Sequence, residues 1–266
     1  QKAHSQADQL NGHWIAPIRL NLPAPRFSPE AVLRFPKSLA LLAGLASATG
    51  FAPLNLWPVS LLCLALMMHL VHAAPDLKGA LLRGYWFGVG HFVVGLNWIA
   101  GSFAYQDAMP VWLGWIAVLL LALYIAIYPA LAAGLAWRHG RAQDTVFVLF
   151  FAAAWIVTEW LRGWVFTGYP WPPVGLMLLS GWDRPGPAML LPWVGTYAMS
   201  GLALLLATGF AAFRVKSLWL GWAVIPFLYA AMIFPFSAVL KPEDSSLRYT
   251  LVQPLIPQSE INDASK

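Results

Sequence analysis

Seven long apolar runs separated by short polar loops dominate this chain of 266 residues. They cover residues 38–52, 54–73, 80–103, 111–137, 146–166, 188–213 and 218–240, some with an embedded proline or glycine. A helix needs about 20 apolar residues to cross the hydrocarbon core of a bilayer. The pattern therefore predicts an all-α membrane protein, a bundle of about seven transmembrane helices. Pro129, Pro226 and Pro235 interrupt runs and predict kinks, because each removes a backbone donor that neighbours must replace. In the third run Gly84 and Gly88 form a GxxxG, followed by Gly90 and Gly95. That spacing either seats another helix closely or reflects the general abundance of glycine in membrane helices.

The ends differ from the middle. Residues 1–33 form a polar, proline-containing leader without a secretory signal pattern. It is either disordered or lies on the membrane surface through Trp14, Ile15, Ile18 and Leu20, flanked by Arg19 and Arg26. Residues 34–240 hold the bundle. From 241 to 266 a charged linker leads into Leu-Arg-Tyr-Thr-Leu-Val at 247–252, which alternates like a strand. A single strand is not stable alone, so it predicts the start of a soluble domain. The chain begins at Gln1 rather than Met and ends in a polar stretch, so either end is expected to be cut from something longer.

Composition supports lipid as the solvent. The chain is 59% hydrophobic and 10% charged, against about 25% charged in soluble domains. Its 15 Trp and 8 Tyr suit membrane interfaces. The net charge of +5 does not point to nucleic acid, because the bases occupy alternate loops. Arg19, Arg26, Arg34 and Lys37 precede the first run, Lys78 and Arg83 follow the second, Arg138 and Arg141 the fourth, and Arg214 and Lys216 the sixth. The opposite loops carry no base at 102–110 and only Arg184 at 167–187. The positive-inside rule then predicts a multi-pass protein with its N-terminus cytoplasmic and its C-terminus outside, which in a Gram-negative cell means an inner-membrane protein with a periplasmic C-terminus.

Candidate chemistry concentrates in Thr-Glu-Trp-Leu-Arg-Gly-Trp-Val-Phe-Thr-Gly-Tyr-Pro-Trp at 158–171. Glu159 and Arg162, spaced i and i+3, share a helix face and are able to pair. Ionisable groups beside a span are costly and face the bundle interior or a polar cavity. They are a structural ion pair or a substrate contact. Tyr169 and Trp171, in the turn that follows, are interfacial belt aromatics or contacts to a lipid substrate. His91 and Asn97 call for hydrogen-bond partners inside the bundle. His69 and His72 share a face of the second run but lack a third metal ligand nearby in sequence. Asp107 belongs to a solvated loop. Cys63, the single cysteine, supports no disulfide or metal cluster and reads as a small buried or lipid-facing side chain. No GxSxG, HExxH, P-loop or Cys–His arrangement is present, so no catalytic residue, metal site or cofactor is expected in this chain.

Several stretches together resemble apolipoprotein N-acyltransferase: GFAPLNLWPV (50–59), GYWFGVGHFVVGLNWI (84–99), YPAL (128–131), TEWLRGWVFTGYPW (158–171) and LVQPLIPQSE (251–260). The resemblance implies an eight-helix bundle with a periplasmic nitrilase-like domain. Such an enzyme takes an acyl chain from a phospholipid, holds it as a cysteine thioester, and passes it to the α-amino group of a lipoprotein's diacylglyceryl-cysteine. The family's catalytic Glu, Lys and Cys belong to the nitrilase-like domain, of which 251–260 matches only the first strand. Of the residues the family associates with its substrate cavity, the resemblance carries over Trp171. Glu159 and Arg162 match the family's pattern with a structural or cavity-lining role, and Tyr169, by its position beside them, is a further substrate-site candidate. The expected partners are phospholipid, diacylated lipoprotein and membrane lipids, and the isolated chain is expected to be inactive. The competing reading is a non-catalytic subunit of a larger membrane complex. A transporter fits poorly, for want of an inverted repeat.

Overall fold

The computed structural model describes residues 34–105, 110–165, 168, 171–179, 187, 190–210 and 250. The leader, Asp107, Tyr169, Arg214, Lys216, the seventh run with Pro226 and Pro235, the charged linker and the predicted strand lie outside the described residues. The chain divides into Gln1–Arg34 and Phe35–Lys266, and every described element belongs to the second unit.

Among the described residues the secondary structure is helical throughout, without a strand. The helices are α1 (Pro36–Ser47), α2 (Trp57–His72), α3 (Leu77–Gly95), α4 (Asn97–Ser102), α5 (Trp112–Ile125), α6 (Ile127–Gly140), α7 (Asp144–Arg162) and α8 (Leu191–Phe210). Short 3₁₀ turns occupy Ala48–Gly50, Phe103–Tyr105 and Val174–Leu178. Local sequence explains the starts. Proline sits in the first turn of α1 and α2, where its missing N–H costs nothing. The Asp76 carboxylate accepts the Gly79 N–H at 2.6 Å and caps α3.

Among the described residues three helices have the length and apolarity to cross a membrane: Trp112–Gly140 (α5 continued by α6), Asp144–Arg162 and Leu191–Thr208. A fourth is added if α3 and the segment after it form one broken span. α1, with 12 residues, is only about 18 Å long at 1.5 Å per residue, short of the hydrocarbon thickness of about 30 Å.

Two expected single helices are broken. The run 80–103 bends by 42° between Leu77–Gly95 and Asn97–Tyr105. Gly95, the last residue of α3, is a weak helix former. The run 111–137 divides at Ala126 into α5 and α6. Pro129 has no N–H for the Ile125 carbonyl, so the ladder lapses there, as its position predicts.

The helices close into a ring in which each packs on the next: α1, α3, α6, α7, α8, α2 and back to α1. α5 packs on α3 and α4. Helix α3 is the hub, and its glycines explain why. A Cβ at Gly84 would lie 2.6 Å from the Ala133 Cβ and 2.7 Å from the Pro129 carbonyl oxygen. One at Gly88 would lie 3.0 Å from the Ala126 Cα. The GxxxG is thus the seam with α6. On the other side a Cβ at Gly90 would strike the Leu41 carbonyl, and one at Gly44 the Phe87 carbonyl, so α1 and α3 also touch backbone to backbone.

Polar groups of α1, α2 and α3 in this apolar interior find partners on neighbouring helices. His91 is buried and its Nδ1 lies 2.7 Å from the Ser47 Oγ. The Ser47 hydroxyl also donates to the Gly44 carbonyl at 2.7 Å. With its one proton committed there, Oγ accepts from a protonated Nδ1, and all three groups are satisfied. Ser60 donates to the Ser47 carbonyl at 2.5 Å, tying α2 to α1. Asn97, expected to find a bundle partner as His91 does, is instead exposed at the start of α4. The bend at Leu96 carries it away from the face His91 occupies.

Candidate functional site

Helix α7 is two-sided. Phe147, Phe151, Trp155, Glu159 and Arg162 form one buried stripe, and Leu149, Phe150, Val157 and Trp160 are exposed on the other side. Spacings of three and four residues place the two charges on the inner stripe, so the helix carries both into the bundle. Each is only 3% exposed.

Their geometry is a clamp on the segment that follows. Arg162 Nη2 donates to Glu159 Oε1 at 3.2 Å. The same nitrogen lies 3.3 Å from the Trp171 carbonyl and 3.3 Å from the Pro172 carbonyl. Glu159 Oε1 in turn accepts the Val174 N–H at 2.9 Å. Two buried charges thereby neutralise each other and also satisfy backbone groups of a stretch that has no ladder of its own. Removing two ions from water costs several kcal/mol each, and pairing alone seldom offsets that. The additional bonds to backbone are what make the arrangement tolerable.

Aromatic side chains enclose the guanidinium. Its Cζ stands 5.0 Å from the Phe92 ring centroid, above the ring face. Tyr128 and Tyr197 lie close enough to act on it electrostatically. Trp155 and Ser200 flank the Glu159 carboxylate. The Tyr124 and Tyr128 hydroxyls are 3.3 Å apart.

Trp171, 8% exposed, packs into the cluster of Phe92, Leu96, Ala100, Val118 and Tyr128. Its ring is part of the bundle core and not of an interfacial belt. The chain reaches this position through Gly168, whose φ of +63° is a left-handed conformation that glycine adopts at no steric cost. Beyond Trp171 the turn Val174–Leu178 docks on α8, where the Gly175 N–H meets the Ser200 Oγ at 2.9 Å. The segment is thus held by α7 on one side and α8 on the other.

Of the predicted site residues, Glu159, Arg162 and Trp171 come together, and Tyr169 lies outside the described residues. Sequence reasoning did not find Phe92, Tyr128, Val174, Tyr197 or Ser200 as neighbours of the pair. Tyr128 stood in the quoted YPAL stretch, and that was the only signal for it. Cys63 lies in α2, half-buried, and is not among the residues around Arg162. His72 meets a carboxylate from far along the chain, with Nε2 3.5 Å from Asp144 Oδ1. Among the described residues no group of three or more His, Cys, Asp or Glu side chains forms a metal-binding cluster. Among the described residues the site holds no nucleophile beside a base, and its hydrogen bonds fix backbone and aromatic rings.

Comparison with known proteins agrees with these features. The family model described as the apolipoprotein N-acyltransferase N-terminal domain matches residues 43–209, which include the whole Glu159–Arg162–Trp171 cluster. An apolipoprotein N-acyltransferase of Ralstonia nicotianae is 37% identical over 237 residues, covering 86% of this chain and 44% of that protein. That of Chromobacterium violaceum is 36% identical over 64% of this chain and 34% of its own length. That of Shewanella oneidensis is 33% identical over 83% of this chain and 42% of its own length. The chain therefore spans less than half the length of these curated relatives. A multi-pass helical bundle, matched by the family model over residues 43–209 and 37% identical to a curated relative over 86% of this chain, places the chain in the apolipoprotein N-acyltransferase family, within its N-terminal membrane domain.

Proposed function

We propose that this chain is the membrane-embedded part of an apolipoprotein N-acyltransferase, which transfers a phospholipid acyl chain to the N-terminal diacylglyceryl-cysteine of a lipoprotein. Its role in that reaction is to position the two lipids, since holding reactants in register removes much of the entropic barrier to a bimolecular step. The observation that carries this reading is the buried Glu159–Arg162 pair and its bonds to Trp171, Pro172 and Val174. A pair that desolvated is a poor stabiliser by itself, and its evident work is to hold the turn after α7 in one conformation. In this reading Tyr169 and Trp171 are substrate contacts, and Glu159 and Arg162 set the shape of the turn after α7 from within.

The remaining organisation is proposed on the same basis. The bundle of residues 34–240 has seven spans in a bacterial inner membrane, follows a leader at 1–33, and leads at 241–266 into the first strand of a nitrilase-like domain. The N-terminus is cytoplasmic and the C-terminus periplasmic, because Lys78, Arg138 and Arg141 stand at or beside helix ends that share one side of the bundle. By themselves these 266 residues bind lipid but do not acylate, since no thiol stands beside a base at the clamp.

Reconstitution tests both halves. The purified chain in nanodiscs is expected to bind a diacylglyceryl-cysteine lipopeptide in the presence of phosphatidylethanolamine and to leave its amine unmodified. Trp171→Ala is expected to weaken that binding at least five-fold. N-acylation by the isolated chain, or lipopeptide binding unaffected by Trp171→Ala, would overturn the proposal.

A further inference from the structure

The ends of four helices converge at the basic pole of the bundle, well away in sequence from the clamp. There α2 ends, α3 begins, α6 ends and α7 begins. The Trp137 Nε1–H of α6 donates to the Ala74 carbonyl, between α2 and α3, at 3.0 Å. His72 of α2 faces Asp144 of α7 at 3.5 Å and sets its ring edge-on to Phe147 with centroids 4.9 Å apart. Arg83 donates to the Leu70 carbonyl from inside the same region.

Three exposed cations, Lys78, Arg138 and Arg141, crown this pole. Its two carboxylates are already engaged. Asp76 caps α3 through the Gly79 N–H at 2.6 Å, and Asp144 is opposite His72. Among the described residues none of the three cations has an acid within ion-pair distance. Helix dipoles act on them locally: Arg138 and Arg141 stand at the C-terminus of α6, which favours a cation only by a fraction of a charge, and Lys78 in the first turn of α3, which does not. Arg141 is moreover held in place, its Cζ 4.3 Å from the Trp137 ring centroid. That arrangement reduces the entropy lost when the guanidinium binds an anion.

This cationic crown sits where apolar helices end, and the ends of helices that cross a bilayer meet the headgroup region. The anion that a membrane supplies at that depth is a phosphodiester, and an arginine fork matches its oxygens. We propose that the pole formed by Lys78, Arg138 and Arg141 is a binding site for the headgroup of an anionic phospholipid. Basic pockets between helix ends are the kind of site that recognises such lipids. The occupant is a lipid bound for its headgroup and is separate from any acyl donor at the clamp, so its failure would leave the acyltransferase reading untouched.

Native mass spectrometry of the purified chain tests this with phosphatidylglycerol and phosphatidylcholine of equal chain length. The wild-type protein is expected to retain phosphatidylglycerol at least ten-fold more tightly, with the preference shrinking as salt rises. Arg138→Gln together with Arg141→Gln is expected to reduce that preference at least five-fold while leaving phosphatidylcholine binding unchanged. Arg138→Lys with Arg141→Lys is expected to keep part of it. Free inorganic phosphate is expected not to compete at millimolar concentration. A wild-type preference that is absent or insensitive to salt would overturn the proposal, as would one that survives the glutamine pair or yields to free phosphate.

Discussion

Glu159 and Val174 are joined by a 2.9 Å hydrogen bond from the Val174 backbone N–H to the Glu159 carboxylate, across fifteen residues of chain. The same oxygen receives Arg162 at 3.2 Å. A membrane helix thereby sets the course of the turn that follows it by means of a single buried carboxylate.

Removing one partner of this pair should be costly. Glu159→Ala leaves the guanidinium buried and unpaired and is expected to destabilise the bundle by about 3–5 kcal/mol. Glu159→Gln keeps an acceptor for Val174 and should cost less than alanine. Glu159→Gln combined with Arg162→Gln should cost less than the sum of the two single changes, with a coupling of at least about 1 kcal/mol. Reversible unfolding in mixed micelles measures all four proteins, and strict additivity would contradict the pairing.

The His91 network makes a second prediction. Ser47→Ala removes the group 2.7 Å from the His91 Nδ1 and leaves a buried donor without its acceptor. The expected loss is about 1–3 kcal/mol. Ser47→Cys, which keeps a weak acceptor, should recover part of it. Equal midpoints for the serine and alanine proteins would show that the contact contributes nothing.

Glycines within one helix should respond in opposite ways. Gly84→Ala places a methyl 2.6 Å from the Ala133 Cβ and is expected to cost about 1–3 kcal/mol by overpacking. Gly95→Ala meets no atom within 4 Å and should be neutral or stabilising by up to about 1 kcal/mol through helix propensity. Thermal midpoints of the two variants, read against the parent, decide the point.

Trp137→Phe keeps a ring under Arg141 but deletes the donor to the Ala74 carbonyl, a bond of 3.0 Å. A loss of about 1 kcal/mol is expected. Hydrogen exchange should quicken at the junction of α2 and α3 and stay unchanged around Arg162. A uniform increase over both regions would mean that the bond has no local role.

Much of the architecture was legible one residue at a time. Apolar runs longer than a soluble core can use marked the helices, and Pro129 marked the break between α5 and α6. The i, i+3 spacing of Glu159 and Arg162 foretold their ion pair, since both its members ride one helix face. The GxxxG of α3 offered two readings, and the structure selected the packed one, with α6 seated on it. The bend at Leu96 and the exposure of Asn97 were not legible, because a helix interrupted by a weak former has the same apolar signature as a straight one. Nor was the carboxylate opposite His72, which comes from the start of α7.

What the sequence alone determined is the solvent of this protein and its local geometry: helices for lipid, charges on one inner face, bases gathered in alternate loops. These follow from short-range spacing and from the cost of exposing polar groups to hydrocarbon. Only the tertiary structure decided what those charges hold. The bond from Val174 to Glu159, the burial of Trp171 against Phe92 and Tyr128, and the meeting of His72 with Asp144 join residues distant in the chain. Such contacts depend on which helices become neighbours, and helical periodicity is indifferent to that choice.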